Sequence, residues 1–259
     1  MVGSYFCYLS VPEENWELDF TAQDQHQAAG RAVPRRVTRP LQRRDADGSA
    51  RTYRSAASAP LRARPNRPAG CGFSRLEAEL RRSPGEVCFP GGKSEAIDKD
   101  EIDTALREAK EEVGLQPEKV EVICRLVPGI DKMNHLVTPV VGFIEDTFQA
   151  APNPDEVSHV FVVPLEYFIK PLHYNTLPYK TSSGYVSRMH CFTYEDQEHK
   201  VSFRIWGLTA HFAVFLALVI FGKRPTFEVD YDLDNLISSA ENNFMNLYAS
   251  VRERKKSNL

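Results

Sequence analysis

The chain has 259 residues, of which 42% are hydrophobic and 26% charged, and its formal net charge is −3. This composition is ordinary for a soluble globular protein of one or two domains, and the weak negative charge gives no general reason to expect a nucleic-acid partner. The five cysteines are scattered without a C-x-x-C pair. That pattern is atypical of a zinc site or a disulfide framework and indicates reduced thiols in an intracellular protein.

Residues 1–70 differ in character from the rest of the chain. From residue 31 onward arginine, alanine and proline dominate, with few larger aliphatic side chains. Such a segment buries too little apolar surface to offset its ordering entropy, so we expect residues 1–70 to be disordered. A solvated tail is favoured over a transit peptide, a nucleic-acid-binding arm or a membrane-surface segment. The reasons are acidic residues near the start and arginines without interleaved aromatics.

The most informative stretch is residues 85–115, which combine a short apolar strand, a glycine turn and a helix. Apolar residues at three- and four-residue steps predict an amphipathic helix over residues 102–113. Gly114 then follows where a helix commonly ends in a left-handed residue. Gly91 and Gly92 lie before this helix, and adjacent glycines let a backbone approach a ligand or a helix closely.

Three carboxylates, Glu108, Glu111 and Glu112, share one face of the predicted helix. Like charges at these spacings destabilise a bare helix by roughly 0.2–0.5 kcal/mol per pair, which a bound cation would remove. A solvated acidic face is the alternative interpretation. The neighbouring glycine turn favours a site for phosphate and for a hard cation such as Mg²⁺ or Mn²⁺. Arg107 is adjacent in sequence, where a guanidinium can orient a carboxylate ligand.

These residues carry a resemblance to a known family. The segment REAKEEVGL at residues 107–115 resembles the second half of the Nudix box, R-E-U-x-E-E-x-G-U, and Gly92 resembles its opening glycine. The motif R-x3-G-x3-F-P-G-G at residues 81–92 resembles that of the coenzyme A diphosphatase branch of the family, including its peroxisomal members. The resemblance to this branch extends from about Leu80 to the C-terminus. The resemblance implies an α/β Nudix fold, a mixed β-sheet sandwiched between helices, over residues 71–251.

The same resemblance implies a metal-dependent diphosphatase. Its implied reaction is hydrolysis of the pyrophosphate of coenzyme A and acyl-CoA to adenosine 3′,5′-bisphosphate and (acyl-)4′-phosphopantetheine. The implied ligands of Mg²⁺ or Mn²⁺ are Glu108, Glu111 and Glu112, with Arg107 orienting them. In the chemistry of such sites, metals neutralise the diphosphate and lower the pKa of a water molecule.

The resemblance also assigns residues outside the helix. Gly91 and Gly92 are expected to shape the loop through which substrate approaches. Glu156, in the loop at residues 152–157, matches the N-P-x-E-V wording of the branch. Either Glu112 or Glu156 is expected to accept the proton of the attacking water, and the sequence does not choose between them.

Two departures from the family pattern stand out. The usual box has a glutamate eight residues before the arginine, where this chain has Lys99, with Asp98 and Asp100 beside it. The branch also carries strands and an L-L-T-x-R-S-like motif where this chain has residues 71–78, with Arg75 out of register. We therefore hypothesise that the first strands of the sheet are lost and that the box is left unsupported.

Two alternative functions remain open at this point. One is a Nudix hydrolase of another nucleoside diphosphate derivative, such as a dinucleotide or a capped RNA. The other is a catalytically inactive isoform that binds coenzyme A and lacks the first sheet strands.

Beyond the box, alternating or continuous apolar patterns predict further strands. They are expected at residues 119–127, 137–144, 159–163, 189–194 and 200–203. Pro139 and Gly142 predict an irregularity in the second of these, near an edge or a ligand.

Two further helices are predicted. The apolar run at residues 205–221 is slightly short for a membrane span, which needs about twenty apolar residues, so it predicts a buried core helix. His211 within it is interpreted as a core or cleft histidine. Residues 232–251 predict a final amphipathic helix.

The last segment, residues 252–259, is a basic tail that ends in Ser257, Asn258 and Leu259. This tripeptide resembles the peroxisomal address S-K-L, with asparagine in the basic place. It predicts the peroxisomal import receptor as a partner and the peroxisome as the location, with the cytoplasm as the alternative.

Overall fold

The computed structural model describes residues 2–11, 41–44, 50–53, 70–76, 85–131, 133–145, 147–180, 186–197 and 200–257. Within these ranges the chain forms thirteen strands and three α-helices. The strands up to the glycine turn are β1 (Val2–Val11), β2 (Leu41–Arg44), β3 (Ala50–Tyr53), β4 (Gly70–Leu76), β5 (Val87–Cys88) and β6 (Gly91–Lys93). After helix α1 (Glu101–Val113) come β7 (Val120–Arg125), β8 (Gly129–Ile130), β9 (Leu136–Glu145) and β10 (Val157–Pro164). The remaining elements are β11 (Tyr174–Lys180), β12 (Val186–Asp196), β13 (Val201–Trp206), α2 (Gly207–Phe221) and α3 (Leu236–Ser257).

The main sheet has eight strands and is mixed, as the resemblance implied. Its central path runs β10-β4-β1-β9-β7, and the short strands β5, β6 and β8 pair with β4, β1 and β9. The pair β1–β9 is parallel, in register from Val2 opposite Leu136 to Val11 opposite Glu145, while the other pairs are antiparallel. The strands β11, β12 and β13 form a separate antiparallel sheet.

Successive side chains of β1 pack on opposite faces of the main sheet. Phe6 and Tyr8 are buried in a cluster with the apolar face of α1, whereas Cys7 belongs to a second cluster that includes α2. Successive side chains of a strand point to opposite faces, so one strand supports a helix on each side. The sheet is thus sandwiched between helices, and the box helix lies on one face.

Most predicted elements after residue 85 are found within a few residues of the expected bounds. Helix α2 carries ten buried residues and is a core helix, as predicted. No helix in the described ranges is both long and apolar enough to cross a membrane. His211 accepts or donates a hydrogen bond with the Tyr231 hydroxyl, at 3.0 Å from Nε2, in agreement with a satisfied cleft histidine. Strand β11 was not predicted.

The irregularity expected at Pro139 and Gly142 lies on the neighbouring strand instead. The register between β7 and β9 shifts between Val122 and Cys124, opposite Gly142. A Cβ at Gly142 would lie 2.8 Å from Val120 Cγ1 and 3.0 Å from Phe6 Cζ. The glycine therefore makes room for the core inside the sheet, because β9 lies between β1 and β7 rather than at an edge.

The N-terminal region requires a correction. Disorder was expected throughout residues 1–70, but Val2–Val11 forms β1 between β4 and β9. The first stretch differs from the arginine-rich part that follows it, because it is aromatic and apolar and can bury side chains. Phe6 and Cys7 are fully buried. The structure also describes the pair β2–β3, while the rest of residues 12–69 lies outside the described ranges.

The hypothesis of a sheet without its first strands is contradicted as well. β1 and β4 pair with each other and fill the sheet between β10 and β9. Ala105, Leu106 and Ala109 of α1 are buried in the same cluster as Phe6 and Tyr8. The box helix is therefore supported by a sheet, which removes the premise of an isoform lacking those strands.

Candidate active site

Both ends of α1 are capped, and of the two caps the glycine at the C-terminal end was predicted from the sequence. The Asp100 carboxylate accepts hydrogen bonds from the backbone N–H groups of Ile102 and Asp103, at 2.9 and 3.0 Å. At the other end Gly114 adopts the left-handed conformation, with φ 74°. Side-chain capping of the first turn and a left-handed glycine after the last turn are common ways to satisfy terminal backbone groups. The register of the box glutamates is thereby set.

The glycine loop touches both the central strand and a box carboxylate. Gly91 and Gly92 belong to β6, where they pair with Tyr5 and Ser4 of β1. A Cβ at Gly92 would lie only 2.6 Å from Glu108 Oε2. The absence of a side chain at Gly92 therefore allows the loop to pass directly against the Glu108 carboxylate.

Arg107 links the helix to the loop through a set of short contacts. Its Nε lies 3.0 Å from Asp98 Oδ1, and its Nη2 donates to Asp98 Oδ2 at 3.1 Å and to the Lys93 carbonyl at 2.9 Å. The same guanidinium lies 3.0 Å from Glu108 Oε1 and 2.8 Å from Glu111 Oε2. The planar guanidinium fixes several acceptors at once, so Arg107 orients two box glutamates.

Asp98 is a site residue that the sequence did not assign. Its side chain is 3% exposed, and the hydrogen bond from Arg107 holds its pKa below the usual value. It also accepts from the Thr104 hydroxyl at 2.9 Å. The only sequence signal was an acid beside Lys99, where the family pattern has a glutamate, and spacing alone could not separate Asp98 from Asp100.

Glu112 is the most perturbed of the box carboxylates. It is 5% exposed, and burial, followed by the negative charge of Glu108, raises its pKa to about 8. A backbone hydrogen bond from Gly91 and a long one from Ser74 Oγ, at 3.4 Å, partly offset this effect. Ser74, on β4, was not foreseen as a neighbour of the site.

Glu156 comes close to this group through a loop tied to the end of α1. The Asn153 N–H donates to the Glu112 carbonyl at 2.9 Å, and the Glu156 N–H donates to the Asn153 carbonyl at 3.1 Å. The negative charge of Glu156 contributes to the raised pKa of both Glu108 and Glu112. The structure thus brings Glu156 within electrostatic range of Glu108 and Glu112, although it is more than forty residues away in sequence.

Glu111 is placed differently from its two neighbours. Its side chain is 50% exposed and pairs with Arg107 at the rim of the group. Of the predicted site residues, Glu111 is therefore the one that the fold leaves most open to solvent.

The carboxylates of the site are suited to a divalent cation. Among the residues that the structure describes, no three His, Cys, Asp or Glu side chains form a ready-made metal cluster. The available donors are nevertheless all carboxylate oxygens, and burial beside like charge raises the pKa of Glu108 and Glu112. A hard cation would relieve that repulsion, and Mg²⁺ and Mn²⁺ favour oxygen donors. The residues present therefore fit such an ion.

Gly92→Ala tests the close approach of the loop. The new methyl group would displace the Glu108 carboxylate, which is the end of a flexible side chain, so we expect the fold to be retained. Hydrolytic activity should fall about 10-fold or more, because misplaced catalytic geometry is costly. Activity and Tm of Gly92→Ala would be compared with those of Ser94→Ala, an exposed neighbour. Unchanged activity in Gly92→Ala would contradict the role given to this contact.

Comparison with known proteins agrees with this geometry. The NUDIX domain family matches residues 74–181. Peroxisomal coenzyme A diphosphatase NUDT7 of Mus musculus is 51% identical over 177 residues, which cover 68% of this chain and 75% of that protein. Nudix hydrolase 15, mitochondrial, of Arabidopsis thaliana is 38% identical over 157 residues, covering 60% of this chain and 54% of that protein.

A bacterial relative extends the comparison. The uncharacterized Nudix hydrolase NudL of Pectobacterium atrosepticum is 38% identical over 153 residues, covering 59% of this chain and 76% of that protein. The matched family domain includes the glycine loop, α1 and the loop of Glu156. The chain belongs to the Nudix hydrolase family.

Proposed function

We propose that this Nudix hydrolase cleaves the pyrophosphate of coenzyme A and of its acyl thioesters. The products are adenosine 3′,5′-bisphosphate and 4′-phosphopantetheine or its acyl derivative. The observation that carries the diphosphate chemistry is the convergence of Glu108, Glu112 and Glu156 beside the Gly91–Gly92 loop. The 51% identity to a mouse protein named a coenzyme A diphosphatase supports the choice of substrate.

The proposed cofactor is Mg²⁺ or Mn²⁺, held by Glu108, Glu111 and Glu112. When bound, such a cation neutralises negative charge on the diphosphate and lowers the pKa of a water molecule. Arg107 keeps Glu108 and Glu111 in place through contacts of 3.0 and 2.8 Å. A rigid arrangement of this kind is what a charged transition state requires.

The protein's own groups account for the proton transfer. As the water oxygen forms a bond to phosphorus, the anhydride P–O bond breaks and the water proton passes to a carboxylate. Glu112 and Glu156 are the two candidates, and both belong to the group of interacting carboxylates that includes Glu108. Glu112 is the buried one of the two and accepts a backbone hydrogen bond from Gly91 of the glycine loop, which favours it as the acceptor.

The proposed location is the peroxisome, through the import receptor, with the cytoplasm as the alternative. Support comes from the resemblance of Ser257, Asn258 and Leu259 to an import tripeptide and from the printed name of the mouse relative. Asn258 and Leu259 lie outside the described residues.

Product analysis tests the proposed activity. Purified full-length chain would be incubated with coenzyme A and Mg²⁺, and the products would be separated and identified. We expect adenosine 3′,5′-bisphosphate, and no product when the cation is removed with a chelator. A dinucleotide and a capped RNA would be tested in parallel. Hydrolysis of either of these without hydrolysis of coenzyme A would overturn the substrate assignment in favour of another nucleoside diphosphate derivative.

A further inference from the structure

A buried hydroxyl without a partner lies beside the glycine loop. Ser4 of β1 is 1% exposed, and none of the residues that the structure describes forms a hydrogen bond with its Oγ. Burying a hydroxyl without a hydrogen bond destabilises a protein, and most buried polar side-chain atoms therefore have a partner. The Ser4 hydroxyl is thus expected to gain a partner in another state of the site.

The pleat of β1 directs Ser4 toward α1. Phe6 and Tyr8, two and four residues further along the strand, are buried in the cluster that contains the apolar face of α1. Residues two apart on a strand share one face of the sheet, so Ser4 lies on that face too. Tyr5 points the other way, where it lines a cavity of about 400 Å³ whose lining also includes Leu247 of α3. The Ser4 hydroxyl therefore belongs to the side of the sheet that carries the box helix.

Ser4 is also the neighbour of a box glutamate. It lies directly opposite Gly92 in the antiparallel pair of β1 with β6. Directly opposite residues point to the same face, with Cβ positions roughly 4.5–5.5 Å apart. A Cβ at Gly92 would lie 2.6 Å from Glu108 Oε2, so the Glu108 carboxylate lies over Gly92. A rotation of the Glu108 side chain, or one water molecule, is therefore enough to join this carboxylate to the Ser4 hydroxyl.

Backbone contacts hold the hydroxyl in this position. Residues 3–5 of β1 pair with residues 91–93 of β6, and the Phe6 N–H donates to the Pro90 carbonyl at 2.7 Å. Ser4 is thus carried by a strand that is bonded to the glycine loop itself. Groups on such rigid elements orient a site more accurately than groups on free loops.

Glu108 has a use for an uncharged donor. Its Oε1 lies 3.0 Å from Arg107 Nη2, and the same guanidinium also contacts Asp98 and Glu111. A divalent cation bound by Glu108 would repel this guanidinium, because both are positive. A serine hydroxyl donates a hydrogen bond without carrying a charge. It can therefore hold one carboxylate oxygen while the other binds the cation, and partners of this kind strengthen metal binding.

We propose that Ser4 is a positioning residue of the cation site, whose hydroxyl donates to the Glu108 carboxylate, directly or through one water molecule, when that carboxylate binds Mg²⁺ or Mn²⁺. The inference rests on the proposed function, because it assumes a divalent cation at the box glutamates. In the cation-free protein the hydroxyl is unpaired and lowers stability, and cation binding supplies the missing partner. The first strand then contributes to cation binding as well as to the fold.

Ser4→Ala separates this role from a purely structural one, because stability and cation affinity should change in opposite directions. In the presence of a chelator, Tm is expected to rise by about 2–4 °C, since an unpaired buried hydroxyl is removed. The Kd for Mn²⁺, measured by electron paramagnetic resonance of the free ion, should rise about 10-fold or more. Ser4→Thr, which restores a hydroxyl, should keep this Kd near that of the wild type.

Thr138→Val is the matched control. Thr138 lies beside Ser4 on β9, is 7% exposed and is one strand further from Gly92. Its replacement removes a buried hydroxyl with little change of shape and should leave the Kd for Mn²⁺ unchanged. As a second readout, the Mn²⁺ concentration that gives half-maximal hydrolysis of coenzyme A should rise in Ser4→Ala by the same factor as the Kd.

Unchanged Mn²⁺ affinity in Ser4→Ala would overturn the inference. An equal loss of affinity in Thr138→Val, or a loss in Ser4→Ala accompanied by a lower Tm, would also overturn it, since either result indicates a general disturbance of the sheet. A wild type that binds no Mn²⁺ would overturn it together with the proposed cation. Failure of the wild type to hydrolyse coenzyme A, with the difference in Mn²⁺ affinity intact, would count against the proposed function alone.

Discussion

Glu112→Gln is expected to lower kcat for coenzyme A by about 10²–10⁴-fold, the range typical of removing a positioned acid or base. The amide has nearly the same shape as the carboxylate but neither accepts the proton nor balances a cation. Glu112 is buried beside Gly91 and Ser74 and is subject to the charges of Glu108 and Glu156. Because burial raises the pKa of Glu112 to about 8, the carboxyl of the cation-free chain is mostly uncharged at neutral pH, so the neutral amide should leave the fold intact, with Tm close to that of the wild type.

Glu118→Gln is the matched control for this change. Glu118 is an exposed glutamate shortly after α1 and outside the group of carboxylates, so its replacement should leave activity unchanged. Glu111→Gln is expected to remove most activity as well, through loss of a proposed cation ligand. Steady-state rates with Mg²⁺, together with Tm of each variant, provide the measurement. Near-full turnover by Glu112→Gln would rule out its assignment.

Phe6→Ala should destabilise the protein by about 3–5 kcal/mol, as expected for loss of a large aromatic side chain from a packed core. Phe6 is fully buried, packs in the same cluster as α1 and lies 6.2 Å, centroid to centroid, from the ring of Tyr8. Deleting residues 1–11 should be more severe. It would remove the strand between β4 and β9 and leave both with unpaired backbone groups.

Urea unfolding followed by circular dichroism measures both changes. Leu172→Ala is a suitable control, because Leu172 is 84% exposed and its truncation should be nearly neutral. Loss of a cooperative transition in the deletion variant is the expected result. The opposite result would be that the variant without residues 1–11 unfolds with the same cooperativity and the same urea midpoint as the full chain. That result would show that β1 does not contribute to the stability of the core.

Local signals in the sequence determined much of the region around the box. Helix α1 starts one residue before its predicted limit and ends where predicted, because its apolar spacing and Gly114 lie within or next to the helix itself. Helix α2 was also predictable, because an apolar run that is too short to span a membrane is expected to be buried in the protein core. The family motif is likewise contiguous, and a contiguous motif can be read from one segment.

Tertiary structure alone decided the rest. Parallel pairing of β1 with β9 joins residues more than a hundred positions apart, and no local pattern specifies such a partner. The same holds for the choice of Asp98 as the partner of Arg107 and for the difference between buried Glu112 and exposed Glu111, which depend on the packing of the loop and sheet against α1. The cavity bounded by Tyr5 and Leu247 arises only where the first strand and the last helix meet the second sheet. The sequence by itself therefore determined most of the elements after residue 85 and the chemical identity of the box, whereas the first strand, the burial and charge of the site and the cavity were set by contacts distant along the chain.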